Sequence, residues 1–181
     1  MTNEQKREEA QQYLNNLTKT LASEISYITT ASKSPMVYAS CIEVLKYRIV
    51  EIAEDAITLW DKGSNLSAYI LNRSLLETVM VAEWINYHAE DFIDGKMTAE
   101  KMHEYLMLAT HASRSEDSPL KARNIMSIIE NLDKRFSKEE GKEIKSNEVI
   151  YGWHSDVSHP NTPGAYLLHA KTVKETYSIK L

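Results

Sequence analysis

Cysteine, glycine and proline are all scarce in this sequence of 181 residues. A single cysteine, Cys41, excludes an internal disulfide framework and a zinc site built from cysteines. Five glycines and four prolines are too few for the many tight turns of a β-sandwich or barrel. The scarcity of these residues favours a helical protein in a reducing compartment, and we predict a cytoplasmic location.

Long apolar runs and an excess of positive charge are also missing. The most apolar stretch, residues 66–85, contains Arg73, Glu77 and Glu83, which argues against a membrane span. Residues 2–12 are polar and lack the apolar core of a signal peptide. The formal net charge of −5 does not favour a strong non-specific grip on nucleic acid by the whole surface. We therefore expect no membrane partner.

Apolar residues recur every three or four positions along most of the chain, as in amphipathic helices. This spacing, with short connections, predicts an all-α fold: an up-and-down antiparallel bundle of five to six helices. We assign residues 1–160 to the bundle and residues 161–181 to an irregular tail, with short strands at 165–169 and 176–180. The predicted helices are residues 3–30, a second from Ser34-Pro35, 66–88, a fourth capped by Thr98, a fifth from Ser118-Pro119, and 146–158.

Arg73 and Glu77 are the charges that most clearly break the apolar pattern. On a helical wheel, both fall within the aromatic and aliphatic face of the third helix, one turn apart. A buried charge is costly unless it is paired, so an i, i+4 ion pair is expected. The pair either fixes helix register or lines a pocket or an interface, where an arginine fork suits a phosphate or carboxylate.

Polar functional groups are densest in residues 151–160, YGWHSDVSHP. His159 precedes a proline and is predicted to end the sixth helix, where it can act as an acid, a base, a phosphate contact or a cap. His154 lies about 140° away around the helix, so the two histidines do not chelate one metal. The inward face of this helix is predicted to contain Val149, Ile150, Trp153 and Val157.

A metal ion or other cofactor is not predicted. Glu100 and His103 have the Glu-x-x-His spacing of carboxylate-bridged iron sites, but such sites require two copies and the sequence has one. The sequence also has no glycine-rich phosphate loop and no Gly-x-Ser-x-Gly nucleophile motif.

The segment Arg73-Ser74-Leu75-Leu76-Glu77, followed by Tyr151 and Ser158-His159-Pro160, resembles an uncharacterised bacterial and phage branch of the HEPN-like superfamily (higher eukaryotes and prokaryotes nucleotide-binding). The resemblance implies a four- or five-helix bundle, often a homodimer. Superfamily members include metal-independent ribonucleases in toxin–antitoxin, phage-defence and stress systems, and non-catalytic RNA or nucleotide binders. It therefore implies RNA or a nucleotide as ligand, and an antitoxin or other protein as partner.

The resemblance implies catalytic roles for Arg73, Glu77 and His159, and ligand binding by Tyr151 and Ser158; His154 is added from the same polar segment. His159 would be the base, Arg73 the cation that stabilises phosphate charge, and Glu77 the group that orients Arg73. The nuclease hallmark of Arg followed on the same helix, after four to six residues, by His is missing here. The alternatives are a non-catalytic dimeric interaction module with a structural Arg73–Glu77–His159 cluster, or a pocket in which Arg73 holds an acidic small molecule.

Overall fold

Six helices make up most of the computed structural model, which describes residues 1–26, 34–159, 171–173 and 178–180. This architecture confirms the predicted all-α bundle. The helices are α1 (Asn3–Thr18), α2 (Ser34–Asp61), α3 (Asn65–Ile93), α4 (Ala99–His111), α5 (Ile125–Glu140) and α6 (Ser146–Ser158).

The central element is α3, which contacts α2, α4, α5 and α6. It forms a long hairpin with α2 across a turn at Gly63, whose φ of 75° suits a residue without a side chain. Ile85 of α3, Leu106 of α4 and Leu132 of α5 are almost fully buried between these helices. The surrounded position of α3 agrees with its apolar character on nearly all sides.

The first helix is shorter than predicted, because α1 ends at Thr18 instead of continuing to residue 30. Side chains of α2 donate hydrogen bonds to the backbone that follows α1. Lys46 donates to the carbonyl of Thr20 over 2.8 Å, and Tyr47 donates to the carbonyl of Ala22 over 3.2 Å. These bonds satisfy backbone carbonyl groups in the turn and the irregular segment after α1, so further helical hydrogen bonds are not needed there. The hydrophobic spacing alone did not reveal this competition.

The fifth helix begins later than predicted, at Ile125 instead of Ser118-Pro119. The hydroxyl of Ser118 donates to the carbonyl of Leu120 over 2.7 Å, and this local bond stabilises a turn in place of a helical start. The cap is Asn124, whose side chain accepts from the N–H of Met126 over 3.0 Å. At α3 the error is in the other direction, since the helix continues to Ile93 beyond the predicted end at residue 88.

The bounds of α6 match the prediction, but of the four residues predicted to face inward only Val157 is buried. Val149 is 68% exposed and Trp153 48% exposed, and Ile150 is exposed as well. Tyr151 and Val157 are the buried residues. The reason is that polar side chains on the inner face are hydrogen-bonded to α3, so hydrophobicity alone points to the wrong side.

A short ladder closes the described part of the chain. Strand β1 (Lys171–Val173) pairs antiparallel with β2 (Ser178–Lys180), with Thr172 opposite Ile179. The second strand lies within the predicted 176–180 segment. The other predicted strand, residues 165–169, lies outside the described residues.

Candidate functional site

Arg73 joins α3 to α6 through a network of polar side chains. Its Nη2 donates to the Tyr151 hydroxyl over 3.0 Å, and its Nη1 donates to Ser158 Oγ over 3.3 Å. Its Nε donates to Glu77 Oε1 over 3.3 Å, one helical turn along α3. Nη1 also lies 3.4 Å from Nε2 of His159. The structure thus brings together five of the six predicted site residues, from positions more than 70 residues apart.

The Arg73–Glu77 pair is partly exposed, contrary to the buried pair that the helical wheel suggested. The side chain of Arg73 is 27% exposed and that of Glu77 39%. Burial alone lowers the pKa of the guanidinium, but the Tyr151 hydroxyl and the Glu77 carboxylate outweigh this effect and raise it. Arg73 is therefore a fixed positive charge at the edge of the bundle.

Tyr151 is the buried member of this network, with 6% of its surface exposed. Its hydroxyl donates to Glu77 over 2.9 Å and accepts from Arg73. Burial raises the pKa of Tyr151; the Arg73 guanidinium opposes that increase, and Glu77 adds to it. The phenol therefore remains protonated near neutral pH and holds the guanidinium and the carboxylate at fixed positions.

His159 is exposed and follows α6 in an extended conformation, as its place before a proline predicts. A guanidinium can only donate, so the contact with Arg73 requires Nε2 of the imidazole to be an unprotonated acceptor. In this arrangement the proton of a neutral imidazole lies on Nδ1.

His154 does not join the Arg73 network. Its Nε2 lies 2.7 Å from Nδ2 of Asn72, and its Nδ1 lies 2.9 Å from the carbonyl of Ile150. An Nδ1–H tautomer satisfies both contacts, because Nδ1 then donates to the carbonyl and Nε2 accepts from the amide. The ring also packs near Tyr69 and Trp153. His154 therefore ties α6 to α3 at a neighbouring position.

Asp133 of α5 positions the start of α6, and the sequence analysis missed it. Its carboxylate is buried, with the residue only 5% exposed, and accepts from the backbone N–H groups of Asn147 and Glu148 over 3.3 and 3.0 Å. A carboxylate at a helix N-terminus satisfies free donors and complements the helix dipole. The available signal was the same as for Arg73: Asp133 lies four residues after Ile129, on the apolar face.

An open cleft of about 460 Å³ adjoins the network. Arg73 and Arg114 line it together with the polar side chains of Tyr151, Ser155 and Asn124. No acidic residue is present among the described residues that line this cleft. The charge and donor groups of the cleft therefore suit an anion.

The described residues contain neither a cluster of metal ligands nor a membrane-spanning helix. Among the described residues, no three His, Cys, Asp or Glu side chains cluster closely enough to hold a metal ion. None of the described helices is long and apolar enough to cross a membrane.

Comparison with known proteins places the chain in a family. The model of a family of unknown function, DUF5677, matches residues 44–176, which is more than half of the sequence. The chain belongs to DUF5677. The matched region includes Arg73, His159 and every other residue of their network, whereas α1 precedes it. No curated protein and no solved structure matches the chain significantly.

Proposed function

We propose that this DUF5677 protein is an HEPN-like domain that binds RNA or a nucleotide through a phosphate held in the cleft beside Arg73. The observation that carries the proposal is that Arg73 and Arg114 line the same cleft. None of the described residues that line this cleft is acidic. Two guanidinium groups with nearby hydroxyl and amide donors are a suitable environment for phosphate oxygens.

Arg73 is held in place and still retains capacity for a ligand. One hydrogen of Nη2 is used by Tyr151, and no described residue accepts the other. The network therefore fixes the guanidinium without saturating it. A preformed donor loses little conformational entropy when it binds an anion, which increases affinity.

Cleavage of RNA without a metal is the further step of this proposal. His159 does not line the cleft itself, but it is exposed and its Nε2 lies 3.4 Å from Nη1 of Arg73. A phosphodiester that extends from the cleft past Arg73 would therefore have a base for the 2′-hydroxyl and a cation for the developing phosphate charge. Such a ribonuclease fits a toxin or phage-defence role in the cytoplasm.

Binding is tested by fluorescence anisotropy with short, labelled, single-stranded RNA. Arg114→Ala removes one of the two guanidinium groups of the cleft and leaves the hydrogen bonds of Arg73 intact. We expect the affinity for RNA to fall about tenfold. Lys96→Ala is the matched control: it also removes one positive charge, and it lies beyond the end of α3, about 30 Å from Arg73 along the helix axis. Equal affinity for the two variants would contradict the proposal.

Cleavage is tested separately by a time course on a broad RNA pool with EDTA present. We expect cleavage by the wild-type protein and none by folded His159→Ala. If the wild-type protein leaves the RNA intact, the proposal is reduced to binding alone.

A second candidate function, a dimeric interaction module, is favoured by the outer face of α6. Val149, Ile150 and Trp153 are exposed together there, and an exposed apolar patch is typical of a protein interface. In this case the Arg73 network would only lock α6 to α3. Light scattering coupled to size exclusion distinguishes the two: a dimer that Val149→Asp converts to a monomer supports the module, with a homodimer or antitoxin contact at this face.

A further inference from the structure

A second cavity, separate from the Arg73 cleft, lies between the first two turns of α1 and the α2–α3 hairpin. Its volume is about 430 Å³, which is in the usual range for small-molecule sites. The wall that α1 provides lies outside the part of the chain matched by DUF5677. Its residues are mostly polar or small: Asn3, Lys6, Arg7 and Ala10.

The opposite wall is aromatic. Trp60 of α2 and Tyr69 of α3 meet edge to face, with their ring centroids 6.0 Å apart, and Tyr69 meets Trp153 in the same way at 5.1 Å. Trp60 remains 45% exposed. Neither the indole N–H of Trp60 nor the hydroxyl of Tyr69 bonds to another residue in the described part of the chain. The wall therefore presents both flat apolar surface and polar groups to an aromatic ring.

Two basic side chains, Lys6 and Arg7, line this cavity. Arg7 is already paired, because its Nε donates to Asp61 Oδ1 over 2.7 Å and its Nη2 bonds to the second carboxylate oxygen. Lys6 forms no ion pair with a described residue. One uncompensated ammonium group beside an aromatic wall suits a ligand with one negative charge, whereas the Arg73 cleft combines two guanidinium groups.

We propose that this cavity binds an aromatic carboxylate, with the ring against Trp60 and Tyr69 and the carboxylate at Lys6. The ring buries apolar surface that is exposed in the free protein, and the ion pair fixes its orientation. This site is independent of the phosphate cleft and of the function proposed for it.

The experiment is a titration with 2-naphthoate, followed by the indole N–H signals of the ¹⁵N-labelled full chain. Three signals are expected from the three tryptophans, and Trp60→Phe assigns one of them. We expect the Trp60 signal to shift in a saturable manner. The signal of Trp84, which is buried in the core, should stay in place.

Two variants test the assigned contacts. Lys6→Ala should weaken binding about tenfold, as loss of one charge-assisted contact predicts. Lys19→Ala is its matched control, because it removes the same charge at the other end of α1 and should leave the affinity unchanged. Ala10→Leu adds a side chain to the cavity wall and should reduce binding while preserving the helix.

Several results would overturn the proposal. They are an unmoved Trp60 signal, equal affinities for Lys6→Ala and Lys19→Ala, or an equally strong response to the uncharged 2-naphthalenemethanol. Arg114→Ala should bind 2-naphthoate normally; a loss in that variant would assign the ligand to the other cleft and would also overturn the proposal.

Discussion

Two arginines, Arg73 and Arg135, each join α3 to another helix, but their partners differ. Arg73 contacts one carboxylate, that of Glu77, and its other partners are hydroxyls and an imidazole. Arg135 of α5 lies 3.1–3.2 Å from three carboxylates, those of Glu90, Asp91 and Glu139.

Arg135 is further enclosed by Tyr87. Its Nη1 donates to the carbonyl of that residue over 3.2 Å, and its guanidinium lies 4.0 Å from the centre of the phenol ring. Its charge is more than compensated, so it has no charge left for an anionic ligand. A contact that connects two helices therefore does not by itself identify a functional arginine. What distinguishes Arg73 is that it faces one carboxylate instead of three and that it lines an open cleft together with a second guanidinium, that of Arg114.

The largest expected effect on stability comes from Asp133, which anchors the start of α6, the helix that provides Tyr151 and Ser158 to the Arg73 network. Asp133→Ala leaves two N–H groups at the start of α6 without their buried acceptor, and we expect the free energy of unfolding to fall by about 3 kcal/mol. Chemical denaturation measures this loss. Asp133→Asn retains one acceptor oxygen and should lose less. If Asp133→Ala has wild-type stability, the carboxylate does not anchor α6.

The difference between the two arginines is tested directly by replacing each of them with alanine. Arg135→Ala removes three ion pairs and a cation–π contact, which should lower the free energy of unfolding by about 2 kcal/mol. RNA affinity should remain unchanged at a temperature where the variant is folded. Arg73→Ala should show the reverse: a smaller loss of stability and about tenfold weaker RNA binding. Anisotropy and denaturation on both variants decide this, and parallel losses in both would remove the distinction.

Tyr151→Phe tests whether the Tyr151 hydroxyl positions the guanidinium of Arg73. The change removes the hydroxyl that bridges Arg73 and Glu77 but keeps the buried ring. We expect a loss of about 1 kcal/mol in the free energy of unfolding, typical of one hydrogen bond. RNA affinity should fall less than in Arg73→Ala, because the cation remains but is less well held. Affinity as low as that of Arg73→Ala would mean that the hydroxyl itself contacts the ligand.

Periodicity was sufficient to predict the fold class, because a helical bundle depends on repeated apolar spacing, whereas the end of α6 followed from the proline after His159. The end of α1 at Thr18 was out of reach, since it depends on Lys46 and Tyr47, which are distant in sequence. The grouping of Arg73 with His159 followed from a motif resemblance and not from periodicity. Nothing in the sequence singled out Arg114, because its role in the cleft depends on the path of the loop before α5.

The smallest expected effect is a change in the pKa of His88, on which the charges of Arg135 and its partner Asp91 act. Neither ring nitrogen of His88 has a hydrogen-bond partner among the described residues. Burial lowers its pKa from 6.5 to about 4; Asp91 opposes this change, and Arg123, Arg135 and Lys101 add to it. The folded state therefore prefers neutral His88, so this contribution to stability is complete above pH 6.5 and is lost as the pH falls towards 4.

Arg135→Ala removes one of these positive charges and frees Asp91 from its ion pair, so the pKa of His88 should rise while remaining below 6.5. Arg73→Ala should leave it unchanged, since Arg73 is not among the charges that act on His88. Histidine ring signals followed by NMR across the pH range measure both values. A shift of the same size in Arg73→Ala would mean that the two clusters are electrostatically coupled through α3, and the separation drawn between them would fail.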